Sequence, residues 1–242
     1  MLKKENKMFD TKKEKWEESY GRGENFMYYP KEETVKFLNR FVKKKKSLEE
    51  YVQLIDSPEK LRGLDFGCGI GRMTILLHEF DIDGYGIDIS QNAVIEGKKL
   101  SKHFGFNLES YLQAYDGEKI PFDDNYFDFT ISEGVLDSMP FELAKKLIKD
   151  IERVTKRYFF LSLISAESAD MFRQTKNEEL FDGEVEVEEA HEKGTIQSLF
   201  SKSKIEEFIK DTDFKIKWCE LNTVAGCVSK YQHSRWYLVL EK

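Results

Sequence analysis

Residues 61–72, LRGLDFGCGIGR, limit what this chain can fold into more than any other stretch. A short apolar run closes on Asp65, and glycines follow at 67, 69 and 71, one residue apart. Apolar run, glycine cluster and periodic apolar stretch read as strand, tight turn and helix. Alternate glycines suit a backbone that needs positive φ, or one that something must approach closely. The helix that follows presents unpaired N–H groups. In open α/β sheets, ligands bind at the carboxyl ends of the strands, where strand order reverses. A nucleotide-like ligand is the expectation for this turn.

The pattern continues downstream. Strands are expected at 61–66, 84–89, 108–115, 126–132 and 157–164, the last apolar enough to be buried on both faces. Between them, 72–80 reads as a helix, and Ser90 can cap another that buries Ala93, Val94, Leu100 and Phe104 and ends at Gly105. Residues 140–155 are strongly periodic through Leu143, Leu147, Ile148, Ile151 and Val154. Such alternation implies a parallel sheet with helices on both faces. Residues 165–199 are acidic and irregular; a helix over 204–210 and strands over 214–221 and 235–240 finish the chain.

Upstream, residues 1–30 are polar with scattered aromatics. Pro30 opens a helix carrying Val35, Leu38, Phe41 and Val42. SLEE, at 47–50, matches a capping box and predicts a helix with Leu48, Val52 and Ile55. The lysines at 43–46 then fall at a helix C-terminus, where cations suit the dipole. Residues 1–60 are read as an N-terminal helical cap, and 61–242 as one α/β domain with a substrate-side insertion at about 165–200.

Bulk properties exclude several classes. A net charge of −7 argues against broad phosphate-backbone binding, so no nucleic-acid partner is expected. No run of about 20 apolar residues occurs, so no membrane span is expected. The charged N-terminus lacks the apolar core of a secretory signal. Cys68, Cys219 and Cys227 lack metal or redox spacing, and a reducing, cytoplasmic setting is the natural reading. The acids between 178 and 192 lack a calcium-loop pattern and read as a solvated flap, so no metal is expected.

The glycine spacing departs from the dinucleotide fingerprint: the third glycine comes one residue early and Arg72 stands where that pattern wants glycine. Further acids narrow the ligand. Asp88 ends the second strand about 20 residues beyond the glycines, where an acid can hold two ribose hydroxyls. Asp116 follows the third strand and suits an amino donor better than a phosphate. FDFTISEGVLDSMP, at 127–140, carries Ser132, Glu133 and Gly134 out of the fourth strand toward the same mouth.

In these ordered motifs the chain resembles the class I S-adenosylmethionine-dependent methyltransferases over about residues 61–164. The resemblance implies a Rossmann-like, seven-stranded, mostly parallel sheet whose last strand inserts antiparallel. It implies S-adenosylmethionine as cofactor, with Gly67, Cys68, Gly69 and Gly71 packed against its methionine and ribose parts and Asp65 ordering the loop. Asp88 would bind the ribose hydroxyls, Ile89 the adenine face and Asp116 the adenine amino group, with Gly117 supplying an N–H. Ser132 and Glu133 would lie beside the methionine part. An N-terminal aromatic or basic residue often sits near the cofactor carboxylate in this family; Tyr20, Arg22 and Tyr28 are the candidates.

A sulfonium methyl is already activated, so the protein must bring a nucleophile in line and exclude water. A hydroxyl acceptor needs a base, whereas a neutral amine or thiolate does not. His191, His233 and Glu133 are the candidate bases, with Asp137 a contender. His78 and His103 read as surface or helix-end residues. The expected reaction is methylation of a small-molecule hydroxyl in surface-sugar or secondary metabolism, with N-methylation close behind. Methylation of protein or RNA, a nicotinamide-dependent oxidoreductase and a non-catalytic cofactor-fold subunit are the rivals.

Overall fold

The computed structural model describes residues 13–171, 183–187, 194–228 and 232–242. Its main sheet has seven strands: β3 (Arg62–Phe66), β4 (Asp83–Asp88), β5 (Leu112–Ala114), β6 (Phe127–Glu133), β7 (Thr155–Ile164), β10 (Lys215–Ala225) and β11 (Gln232–Glu241). They are ordered β10-β11-β7-β6-β3-β4-β5. β3 pairs in parallel with β4 and β6, and β4 with β5. β11 lies antiparallel between β7 and β10, as the resemblance implies. Strand order reverses at β3, so the glycine turn leaves the sheet where ligands bind in such folds.

The chain divides into two compact units. The first holds Met1–Pro121 and Phe127–Ile131. It begins with a helix over 13–21, here α1, then α2 (Glu32–Phe37), which runs into a π-helical turn at Leu38–Val42. A hairpin follows, β1 (Lys43–Lys45) with β2 (Tyr51–Gln53). Helices α3 (Arg72–Glu79) and α4 (Gln91–His103) connect β3, β4 and β5. Ile75, Val94, Leu108 and Leu112 form a buried cluster in this unit. Gly63 is demanded by packing: a Cβ there would stand 2.5 Å from the Phe129 ring.

The second unit holds Phe122–Tyr126 and Ser132–Lys242. Its helix α5 (Phe141–Val154) buries Ala144, Leu147, Ile148, Ile151 and Val154 at the spacing that puts them on one face. Residues Tyr158–Ile164 of β7 are all buried, which is why that strand is almost continuously apolar. A short hairpin of β8 (Glu184–Glu186) and β9 (Ile196–Ser198) stands in the segment expected to be irregular. Helix α6 (Lys202–Ile209) packs its Phe208 against Phe141 and Phe200.

Three local expectations are corrected. SLEE does not start a helix. Ser47 Oγ does accept the Glu50 N–H at 3.1 Å, but Glu50 C=O also accepts from Lys46 and Ser47 N–H, closing a hairpin turn. Leu48 is left 87% exposed at its tip, and Tyr51 and Val52 favour the strand that follows. The lysines at 43–45 therefore lie on a strand, with Lys43 buried and bonded to Asp81 at 2.8 Å. Phe104 is not buried beneath α4; its ring lies 5.0 Å under the Arg72 guanidinium and is 40% exposed.

Gly63→Ala is expected to destabilise the protein by about 1–3 kcal/mol through overpacking against Phe129, read as a lowered urea midpoint with an unchanged denaturant slope.

Candidate functional site

All three loop glycines take positive φ: 72° at Gly67, 53° at Gly69 and 72° at Gly71. Their alternation is thus a backbone requirement. Gly67 and Cys68 N–H donate to Ile87 C=O at 2.8 and 3.0 Å, and Gly71 N–H donates to Cys68 C=O at 2.8 Å. A Cβ at Gly69 would meet the Tyr20 hydroxyl at 2.6 Å, and one at Gly71 would meet Leu112 at 3.1 Å. The early third glycine caps α3 and packs against β5, so Arg72 becomes the first helical residue. Arg72 is buried. Its Nε donates to Tyr28 C=O at 3.1 Å, and its Nη atoms pair with Glu79 at 3.3 Å.

Asp65 turns inward from the loop. Its Oδ2 accepts from the backbone N–H and hydroxyl of Thr74 at 2.9 and 2.8 Å, satisfying a first-turn donor of α3. Asp88 is buried and bridges two turns: Oδ2 accepts from Gly69 N–H at 2.8 Å and Oδ1 from Ser90 N–H at 2.9 Å. Ser90 in turn caps α4 by accepting from Ala93 N–H. Tyr115 N–H donates to Asp88 C=O at 3.0 Å, bringing the end of β5 to the end of β4. Ile89 is half-buried at that junction. Asp116 is exposed and accepts from Glu118 N–H at 2.8 Å, around a buried Gly117 with φ 84°. Burial, with Asp65 and Asp88 nearby, pushes the Cys68 thiol well above its usual range, so it packs rather than reacts.

Of the N-terminal candidates, Tyr20 stands over Gly69, Tyr28 is half-exposed and contributes its carbonyl to Arg72, and Arg22 pairs with Glu24 at 2.8 Å.

In the second unit, Glu133 ends β6 and its Oε2 accepts from Ser162 Oγ at 2.8 Å. Ser162 Oγ also accepts from Gly134 N–H and Arg235 Nη1, each at 3.1 Å. Arg235 Nη1 meets fully buried Asp137 at 2.9 Å, and the same Asp137 oxygen accepts from Ile164 N–H at 2.8 Å. Asp137 thus holds structure together through Oδ2, while its Oδ1 is buried and has no hydrogen-bond partner among the described residues. Ser132 Oγ is buried and has no hydrogen-bond partner among the described residues. β11 runs antiparallel with Arg235 paired to Ile164, so its first residues, His233 included, lie at the carboxyl end of β7. Burial, then the Arg235 charge, holds the His233 imidazole below its ordinary range, and its buried Nδ1 has no partner among the described residues. His191 lies outside the described residues. His78 lies in the last turn of α3, a helix-end position as expected, but is half-buried: its Nε2 meets Gly84 C=O at 2.9 Å, and burial lowers its pKa. Among the described residues, no group of three or more His, Cys, Asp or Glu could hold a metal ion, and no helix is long and apolar enough to cross a membrane.

The profile of a methyltransferase domain family matches residues 64–160, close to the span read from the motifs. The match covers about two fifths of the chain and supports a class I S-adenosylmethionine-dependent methyltransferase. A sterol 4-C-methyltransferase of Caenorhabditis elegans is 29% identical over 141 residues, 55% of this chain and 39% of that protein. The chain spans about two fifths of the length of the first curated relatives it matches. A methyltransferase of Anabaena variabilis aligns over 96% of this chain and 94% of its own, at 18% identity and a TM-score of 0.62. The magnesium protoporphyrin IX methyltransferase of Synechocystis, crystallised with S-adenosylmethionine bound, aligns over 76% of this chain and 70% of its own, at 19% identity and a TM-score of 0.54. At these identities the structural likeness is one of fold.

The sequence reading missed α1 and the grip of Arg72. Trp16 and Tyr20, one helical turn apart, and the YGRGEN stretch after them were the available signals for the helix and its end.

Asp65→Ala is expected to cost about 1–3 kcal/mol of unfolding free energy, because the Thr74 N–H loses its buried acceptor. Asp65→Asn, which keeps an acceptor oxygen, should cost less in the same urea titration.

Proposed function

We propose that the chain binds S-adenosylmethionine at the glycine loop and transfers its methyl group to a small-molecule acceptor, most simply a hydroxyl. The observation that carries the donor half is the Asp88 carboxylate clamped to the Gly69 N–H, beside three glycines held at positive φ. The residues present fit the cofactor. The loop backbone allows close approach, and an acid stands at the end of each of the next two strands. A carboxylate oxygen carries two lone pairs, so accepting loop N–H groups leaves Asp88 chemically able to accept ribose hydroxyls as well. Asp116, exposed beside Gly117, can accept from the adenine amino group, with Ile89 against the ring.

When bound, the cofactor supplies a methyl group on a positively charged sulfur. The chain must orient the acceptor, exclude water and, for a hydroxyl, remove a proton. His233 fits the last task. It is kept neutral by burial and Arg235, and its Nδ1 lacks a protein partner among the described residues. Glu133, fixed by Ser162, fits an orienting role better than that of a mobile base. His191 stays a candidate from sequence. The net charge of −7 favours a small acceptor over a nucleic acid. Two relatives' names, which specify a sterol and magnesium protoporphyrin IX, also point to small acceptors.

Asp88→Ala should weaken S-adenosylmethionine binding by about 1–3 kcal/mol in calorimetry, and unchanged affinity would count against the donor assignment. Once a screen with labelled donor has found an acceptor, His233→Ala should slow turnover by about a hundredfold or more. A base must be neutral to act, so the wild-type rate should fall with acid only below the ordinary imidazole range. An acid limb at or above that range, or a nearly normal rate in the variant, removes His233 from the reaction.

A further inference from the structure

Glu17 ties helix α1 to the start of α4. Its Oε2 accepts the Ser90 hydroxyl at 2.5 Å, and both of its carboxylate oxygens lie 3.2 Å from the Asn92 backbone N–H. Its own carbonyl accepts from Asn92 Nδ2 at 3.1 Å. The proton directions follow from the partners. Ser90 Oγ accepts from Ala93 N–H, so its single hydrogen is the one Glu17 receives. Asn92 lies in the first turn of α4, where N–H groups lack intrahelical acceptors and negative charge is favoured. Glu17 thus completes, from another segment, the cap that Ser90 begins. The two helices approach so closely that a Cβ on Gly21 would stand 3.2 Å from Asn92 Nδ2.

The end of α1 is equally determined. Glu24 N–H donates to Ser19 C=O at 3.0 Å and Gly23 N–H to Tyr20 C=O at 3.1 Å, with Gly23 at φ 77°. That is the Schellman pattern of a helix C-terminus. The chain doubles back so that the Phe26 ring stacks on Tyr20 at 6.2 Å, and Tyr28 C=O then reaches Arg72. Residues 13–28 therefore form a strap anchored at the start of α4 by Glu17 and at the start of α3 by Arg72. Between the two anchors, Tyr20 lies over Gly69.

We propose that Glu17 is a positioning residue for the donor site: by hooking α1 to Ser90 and Asn92 it holds Tyr20 over the glycine loop and closes the strap on the bound donor. The proposal rests on the donor reading above. Hook and site share parts, because the Ser90 whose hydroxyl meets Glu17 gives its N–H to Asp88, the same carboxylate that holds Gly69. A ligand lying against Gly69 and Asp88 leaves only when the strap lifts, so weakening the hook speeds dissociation more than it slows association.

The test uses the full chain and S-adenosylhomocysteine as probe. Glu17→Ala should weaken binding about tenfold, mainly through a faster off-rate. Glu17→Gln, which keeps an acceptor oxygen for Ser90 and Asn92, should stay within about threefold of wild type. Gly21→Leu, which raises helix propensity while crowding Asn92, should behave like Glu17→Ala, separating loss of docking from loss of the helix. The probe should slow amide exchange across residues 13–29 in wild type but not in Glu17→Ala. Wild-type affinity, off-rate and exchange protection in Glu17→Ala would overturn the hook. If wild type itself takes up no probe, the donor reading falls and the hook with it.

Discussion

The hydrogen bond from Gly69 N–H to the Asp88 carboxylate joins the two features that define the site: a loop made of left-handed glycines and a buried acid at the end of the neighbouring strand. An ionised side chain this deeply buried is costly unless its oxygens are met by donors. Asp88 meets that condition with Gly69 on one oxygen and Ser90 on the other, so a single charge sets the turn after β3 and the start of α4 together. Parallel pairing of β3 with β4 supplies the spacing, and the Gly67 and Cys68 amides on Ile87 C=O fix the register of the loop.

Asp65 shows how neighbouring acids divide the work. It ends the same run of sequence as the glycines, yet its carboxylate turns into the protein and holds the first turn of α3 through Thr74. Asp65 fixes the helix start after the loop and Asp88 the loop itself, and Arg72, buried between Tyr28 C=O and Glu79, ties the N-terminal strap to the same helix start. The second unit is built around another charge. Asp137, fully buried, is met by Arg235 and Ile164 N–H, and Ser162 passes the arrangement on to Glu133.

Much of this was legible in the residues. The alternation of apolar strands and periodic helices specifies the sheet, because 2- and 3.6-residue periods leave few other architectures. Ser90 as a cap and Gly105 as a stop followed from local chemistry and are seen at α4. What failed was local chemistry that serves two structures equally well. The Ser47–Glu50 hydrogen bond closes a hairpin as readily as it caps a helix, and the choice is made by pairing of the Lys43–Lys45 strand with Tyr51–Gln53, a contact no capping pattern reveals. Glu17 and Arg72 escaped for the same reason. Their partners stand far off in sequence, Glu17 on the start of α4 and Arg72 on the Tyr28 carbonyl. The partner of His78 escaped too, because nothing in its own helix announces the Gly84 carbonyl that it meets.

The central claim is that the glycine loop and the acids at the ends of β4 and β5 cradle a sulfonium nucleoside. Backbone amide resonances followed during titration with S-adenosylhomocysteine test it most directly. The account predicts saturable shifts concentrated at Gly67, Gly69, Gly71, Ile89 and Gly117. Shifts confined to other segments, or none at millimolar ligand, would contradict it.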